Sequence, residues 1–453
     1  MPGKSPQNKF IFPFSPTVNR LGPSSICGYL YEYLEAIGAK TCIHEPDYID
    51  KDYLIDYSKF YSRSFEKVDK TTDRYHFFSL AFGQIKFKRA LEKGDEGFFK
   101  KLQESYLGFI VVKPVRDIYK YRLIGKTVLA TYPEHVGVDN RCFLTNEHKA
   151  SLYGIPLKLK TLPFQQKDNA VGVCATVTCW SAQFPLMHLF GTPVLSPVEV
   201  TERAVACPTI DARNFPSDDG LTLSQLKYYF NSLDLETEFI NPKPNAGSPQ
   251  TSREDIIADA VRAYIELGLP IIATLNLKGT NDYHAVLITG YRHTYGKVRE
   301  IYVHDDNIGP YHHIKPNRQG KFSSWREAGT NGCKKEYELQ RLLVPVYPKI
   351  RLSFGKVYRA FLQFKRGTEA FVKSGTYPKG TRTELFLTDI HRYRKDLLTR
   401  KFDGKNDIVR EPAARFLWVI RIQNKGKPIR DYVLDGTAIY PNRIIWDIEF
   451  KNP

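Results

Sequence analysis

The sequence predicts an α+β fold in which a helix bearing a cysteine is backed by an antiparallel sheet. Three observations predict it. The stretch 174–182 (Cys-Ala-Thr-Val-Thr-Cys-Trp-Ser-Ala) is apolar enough for a buried helix, and Gly172 just before it permits a sharp entry. Apolar runs at 270–277, 284–291 and 300–303 then follow one another across short polar turns, the pattern of an antiparallel sheet. Cys174, His284 and Asp305 stand at the ends of these elements, in that order.

The chain has 453 residues, long for one core, so two or three domains are expected. Hydrophobic residues make up 42% and charged residues 25%, the balance of a globular protein, and 13% aromatic content argues against disorder over most of its length. The N-terminus lacks the apolar stretch of a secretory signal, and no run of about 18 apolar residues occurs, so neither export nor a membrane-spanning helix is expected. The seven cysteines are scattered without a Cys-x-x-Cys pair, which points away from a disulfide framework or a zinc ribbon and toward a reducing cytoplasm. The net charge of +17 is uneven: from residue 349 onward 23 Lys and Arg stand against 11 Asp and Glu, a net +12. This basic surface either aids solvation or attracts an anionic partner such as nucleic acid. No helix-turn-helix, zinc-finger or RNP pattern accompanies it.

In chain order, residues 1–24 are rich in Pro, Ser and Asn and read as an extended arm. A helix begins near Ser24 and ends near Gly38. Tyr53, Tyr57, Phe60, Tyr61 and Phe65 recur at roughly helical spacing and read as a packing stripe. The stretch 82–107 is a helix broken near Gly94, 107–114 a strand stopped by Pro114, and 124–130 another strand. An amphipathic helix at 221–233, a strand at 235–240 and a surface loop at 241–252 precede a helix at 253–267, capped by Ser252 or Thr251 and ended by Gly268. The stretch 342–352 is a strand with proline interruptions, and 416–422 and 432–434 are a strand pair joined by the turn at 424–427. The chain thus divides into an N-terminal α/β region (1–155), a motif-bearing domain (156–348) and a basic, β-rich C-terminal region (349–453).

A thiol is a strong nucleophile only once a base has taken its proton, and the base works best when a third group orients it. Cys174, at the first turn of a helix, faces the positive end of the macrodipole, which favours thiolate; a nearby imidazolium favours it further. His284 lies where the polar loop 279–282 meets an apolar strand, so it can point into a cleft from a rigid element. Asp305 ends the next strand. Neighbouring antiparallel strands can bring a histidine and a carboxylate within hydrogen-bond reach, so Asp305 would fix the tautomer of His284 and stabilise its cation, with Asp306 as the rival. The oxyanion formed on attack needs donors already aimed at it. The Cys174 N–H is one, because a first-turn amide has no partner within the helix. The side-chain amide of Gln166 or of Gln165 is the other, with Gln166 favoured. Cys179 and Cys207 read as small core residues. His304, His312 and His313 crowd one stretch, but their spacing matches no common zinc pattern, and neither a metal nor another cofactor is expected.

These residues resemble the papain-like cysteine peptidases, most closely their bacteriocin-leader-peptidase-like branch. The matching pieces are Gln-Gln-x-Asp…Gly-Val-Cys-Ala within 165–175, the helix after it, the strand 270–277, His-Ala-Val-Leu-Ile-Thr-Gly-Tyr at 284–291 and Tyr-Val-His-Asp-Asp-Asn-x-Gly-Pro-Tyr at 302–311. The resemblance covers about 160–345, and the flanks look like parts of large bacterial proteins that carry such a core. It implies a papain-like core, a nucleophile-bearing helix packed on an antiparallel sheet with the cleft between, flanked by an N-terminal α/β and a C-terminal β-rich extension. It also implies Cys174 as nucleophile, His284 as acid and base, Asp305 as orienter and Gln166 as oxyanion donor. Two departures stand out: the glutamine lies two or three residues further from the cysteine than in the family, and Ala175 follows the cysteine where leader peptidases usually carry glycine.

The sequence therefore leads to the expectation of a cytoplasmic cysteine peptidase that hydrolyses a peptide or isopeptide bond of a protein or peptide substrate through a thioester acyl-enzyme. The same Cys-His-Asp set would serve transglutaminase- or deamidase-like acyl transfer with a different acceptor or a side-chain amide substrate. A non-catalytic protein that holds an anionic partner through its basic C-terminal region is the third reading.

Overall fold

A computed structural model describes residues 9–15, 20–65, 67–136, 138–168, 173–210, 213, 220–243, 251–317, 320–328, 334–441 and 444–451. The fold is mixed α+β with antiparallel sheets, as the sequence predicts. No helix among the described residues is long and apolar enough to cross a membrane. The chain forms two compact units, each assembled from separate segments.

The first unit comprises Met1–Pro133, Thr145–Tyr229 and His304–His312. Its sheet has the order β1-β2-β3-β4-β5, with β1 Ile11–Pro13, β2 Thr41–Tyr48, β3 Thr72–Phe78, β4 Tyr106–Arg116 and β5 Arg122–Leu129, all paired antiparallel. The N-terminal arm is thus not wholly unpaired: Ile11 is buried and sits opposite Ile43. Helix α1 (Ser25–Ala36) begins where the Ser24 hydroxyl accepts from the Cys27 N–H. In α2 (Lys51–Lys59) the Asp50 carboxylate accepts from the Tyr53 N–H. Tyr53 and Tyr61 are buried, but Phe65 is fully exposed, so the aromatic stripe ends at Tyr61.

The break near Gly94 is real. It separates α3 (Gln84–Lys93) from α4 (Glu96–Glu104), and Gly94 takes the left-handed conformation (φ 61°) that closes the first helix. Phe87, Ala90, Phe98 and Leu102 from these helices join Val111 and Val128 of the sheet in one core, together with Leu152, Ile155 and Leu157 of the hairpin β8 (Asn146–Leu152) and β9 (Ile155–Thr161). Strand β4 continues past Pro114 to Arg116, because its register with β5 shifts between Val112 and Arg116 and asks no N–H of the proline. Three further helices follow: α5 (Cys174–Phe190), α6 (Pro197–Val205) and α7 (Leu223–Asn231). The second starts with a capping box between Ser196 and Glu199.

The second unit comprises Glu134–Leu144, Phe230–Val303 and His313–Pro453. A larger sheet runs β10 (Glu236–Ile240), β16 (Lys334–Val346), β11 (Ile271–Leu277), β12 (Tyr283–Thr294), β13 (Lys297–Asp305) and β14 (Gly309–Ile314). At its margins β15 (Ser324–Ala328) pairs with β16, β7 (Asp139–Phe143) with β12, and β6 (His135–Val136) with β7. The three predicted runs are β11, β12 and β13. The last two form a hairpin whose two connecting residues, Tyr295 and Gly296, both have positive φ (47° and 87°), the geometry of a type I′ turn. Strand β16 begins earlier than the apolar run at 342 suggests, because Tyr337 and Leu339 are buried between residues that remain partly exposed.

Helix α8 (Arg253–Ile265) opens with a Ser252–Asp255 capping box, which settles the cap on Ser252. Residues 349–453 hold α9 (Phe354–Lys373), α10 (Ile390–Leu398) and α11 (Lys405–Arg410) around a four-stranded antiparallel sheet, β17 (Thr381–Asp389), β18 (Phe416–Asn424), β19 (Lys427–Asp435) and β20 (Ile444–Glu449). Trp418 is fully buried there. Its indole N–H donates to the Leu352 carbonyl (2.8 Å), and its ring meets Tyr264 edge-on at 5.7 Å.

Glu238 ties β10 to both long helices: it accepts from the Tyr264 hydroxyl (2.6 Å) and from the Phe354 N–H at the start of α9 (2.7 Å). Burial pushes its carboxyl up to about 7. A carboxyl whose folded value is raised contributes stability that is full below its unfolded value, about 4.3, and is lost as pH rises toward the folded one. Urea unfolding should therefore show stability falling between about pH 4 and 7, and Glu238→Gln should flatten that slope.

Candidate active site

Cys174 is the first residue of α5 and is half-buried, whereas Ala175 through Leu186 are all buried. A helix with no polar face can only be an interior one. It is anchored by a Thr176–Thr201 hydroxyl pair (2.8 Å) and by the Ser181 hydroxyl donating to the Pro163 carbonyl (2.9 Å). Its N-cap, Val173, has no side-chain acceptor, so the first-turn amides beside the thiol are not capped from that side chain. Gly172, expected to allow the entry turn, lies outside the described residues. Cys179 is fully buried and burial pushes its thiol far up, the state of a core residue; Cys207 is also buried.

The two glutamines before the helix differ. Gln166 is stitched to β5: its N–H donates to the Ile124 carbonyl, and its side-chain oxygen accepts from the Ile124 N–H, each at 3.0 Å. Gln165 is 3% exposed, and its side-chain nitrogen has no hydrogen-bond partner among the described residues. Leaving a buried donor unpaired costs about 1–3 kcal/mol, so such a group calls for an explanation.

Lys167, which the sequence reading passed over, is the cation of the first unit's site. Its ammonium lies 3.6 Å from the Asp306 carboxylate. Burial lowers its pKa, but Asp306, Cys174 and Asp305 together outweigh burial and hold it above the usual lysine range. The first unit therefore gathers Cys174, Lys167, Asp305 and Asp306. Nothing in the sequence separates this lysine from a surface one, except that it stands between the glutamines and Asp168. Asp168 is itself buried and accepts from the Tyr61 hydroxyl (2.7 Å), fixing the approach to the helix.

Asp305 and Asp306 are 2% and 3% exposed. One oxygen of Asp305 accepts from the Asn307 N–H (3.0 Å), so this residue does shape the turn after β13. The turn is seated on α1. The Tyr29 hydroxyl donates to the Pro310 carbonyl (2.8 Å), and a Cβ on Gly309 (φ 149°) would stand 2.3 Å from the Tyr29 ring. Nearby, the Tyr311 hydroxyl pairs with the Thr161 hydroxyl (2.8 Å) and accepts from the Leu162 N–H (2.9 Å), and the His304 ring packs edge-on against Phe164 and Tyr311.

His284 belongs to the second unit. It is the second residue of β12, opposite Leu275 of β11, is 6% exposed, and has the Tyr337 ring 5.8 Å away. Gly220 was also missed. It has φ 76°, and a Cβ there would lie 4.0 Å from the Cys174 sulfur, so its lack of a side chain leaves room beside the thiol.

No protein-family model matches the chain, and no curated protein matches it.

Gly309→Ala should destabilise the protein by roughly 1–3 kcal/mol through overpacking against Tyr29. Part of the loss should return in the Tyr29→Ala background, because the two positions touch. Urea unfolding of both single variants and the double variant checks this.

Proposed function

We propose that this chain is a cysteine peptidase that hydrolyses a peptide or isopeptide bond through a thioester on Cys174. The observation that carries the reading is a half-buried thiol at the first residue of a long interior helix, with the Lys167 ammonium acting on it. His284 would serve as the base and Asp305 as its orienter. With Asp306 paired to Lys167, Asp305 is the better orienter.

In this reading the proton of the Cys174 thiol passes to His284 and the sulfur bonds to the substrate carbonyl carbon. The C–N bond breaks as His284 returns the proton to the leaving amine. Water, giving a proton to His284, then attacks the thioester; the acid leaves and the thiol is regenerated. The oxyanion of each step would be met by the Cys174 N–H and by the side-chain N–H of Gln165, which has no partner among the described residues, or of Gln166, of which the bond to β5 occupies only the oxygen.

A thiol-directed acylating probe tests the reading. It should label the wild type once, at position 174, and Cys174→Ala should abolish labelling; stoichiometric labelling elsewhere with none at 174 would overturn it. Product masses then separate hydrolysis from acyl transfer and deamidation. Of Gln165→Ala and Gln166→Ala, the one that removes the donor should slow acylation about 100- to 1,000-fold, the usual cost of one oxyanion donor, and the other should act mainly on stability. His284→Ala should slow it at least as much.

A further inference from the structure

The basic character of residues 349–453 has a structural focus that is independent of the thiol. Arg359, Arg366 and Lys373 recur every seven residues along α9 and are all exposed, so they form one row on its outer face. At 1.5 Å per residue the row spans about 21 Å. None of the three has a carboxylate within ion-pairing distance among the described residues, and Glu369 is the only acid on the helix. The opposite face of α9 is committed to the core through Phe354, Val357, Tyr358 and Phe361.

At the N-terminal end of this row lies a cleft of about 180 Å³, lined by Arg359 and Lys243, by the partly exposed ring of Phe239, and by Tyr358, Leu362 and Asn241. The acid that also borders it, Glu238, turns its oxygens inward to Tyr264 and to the Phe354 N–H, and burial keeps it protonated to about pH 7, so it does not repel an anion below that pH. Beside the same end, Tyr440 is 63% exposed with Lys356 over its ring at 5.0 Å. Cations in a row follow a phosphate backbone, and a small cleft beside a half-exposed ring takes one planar base. A base in a duplex is stacked and paired and cannot enter such a cleft; a base in a single strand can.

We infer that the cleft and the Arg359–Arg366–Lys373 row together bind single-stranded nucleic acid, one base in the cleft and successive phosphates along α9. At a stacked rise of about 3.4 Å per nucleotide, the row matches about six nucleotides.

Fluorescence anisotropy of a labelled oligothymidylate on the full chain tests this. Binding should weaken steeply with salt. The triple variant Arg359→Gln, Arg366→Gln, Lys373→Gln should bind at least about tenfold more weakly at low salt and lower the log–log salt slope by about 2, because each lost phosphate contact on a single strand is worth about 0.7. Leu362→Trp, which fills the cleft and leaves the charges, should weaken binding several-fold with the slope unchanged. The triple variant should keep its melting temperature and its labelling at Cys174. Absence of salt-dependent binding, a triple variant that binds like wild type, or equal affinity for duplex DNA or for polyglutamate would overturn the assignment.

Discussion

Two adjacent carboxylates with almost no access to water set the terms for the first unit. Taking one charge out of water costs several kcal/mol unless it is paired and hydrogen-bonded, and two in sequence compound the cost. Asp306 meets it with the Lys167 ammonium, and Asp305 with the turn amide of Asn307. The lysine comes from the strand-like approach to α5 and the aspartates from the end of β13, so one electrostatic requirement draws together stretches some 140 residues apart in the chain. The seating of Gly309 against Tyr29 and of Tyr311 against Thr161 then looks like support for that requirement. The carboxylates hold position because the loop after them has no freedom to leave.

Cys174 feels the same arrangement. A thiolate beside a lone ammonium would form a tight ion pair, whereas here Lys167 also answers to Asp306 and Asp305. The cation is shared between the thiol and the two carboxylates. A Cβ at Gly220 would come within 4.0 Å of the sulfur.

What could be read in the sequence was whatever local chemistry decides. Gly94 broke a helix because only glycine sits comfortably at φ 61°, Ser252 and Asp255 capped α8 reciprocally, and the two-residue turn at Tyr295–Gly296 made a hairpin of two apolar runs. What escaped was decided at a distance. β7 joins β12 across more than 140 residues, β10 lies beside β16, and α9 shows its amphipathic logic only once β17 and β18 are there to cover one face. The adjacent glutamines are the sharpest case. Residue type and spacing treat Gln165 and Gln166 alike; the alternation of an extended backbone turns one toward β5 and the other into the interior, and no sequence pattern announces which. Lys167 was invisible for the same reason, since its importance depends on carboxylates that arrive much later in the chain.

The segmentation of the two units has a consequence for biogenesis. The chain passes from one to the other five times, and the first unit is complete only with residues 304–312. A nascent chain can pair β1 to β5 early, since all five strands lie within residues 11–129, but it cannot finish the first unit until residues 304–312 have been made. Such wiring slows the last step of the first unit, since loops of this length must close before their contacts form. It also keeps the thiol and its buried carboxylates from meeting until synthesis has passed the last of them.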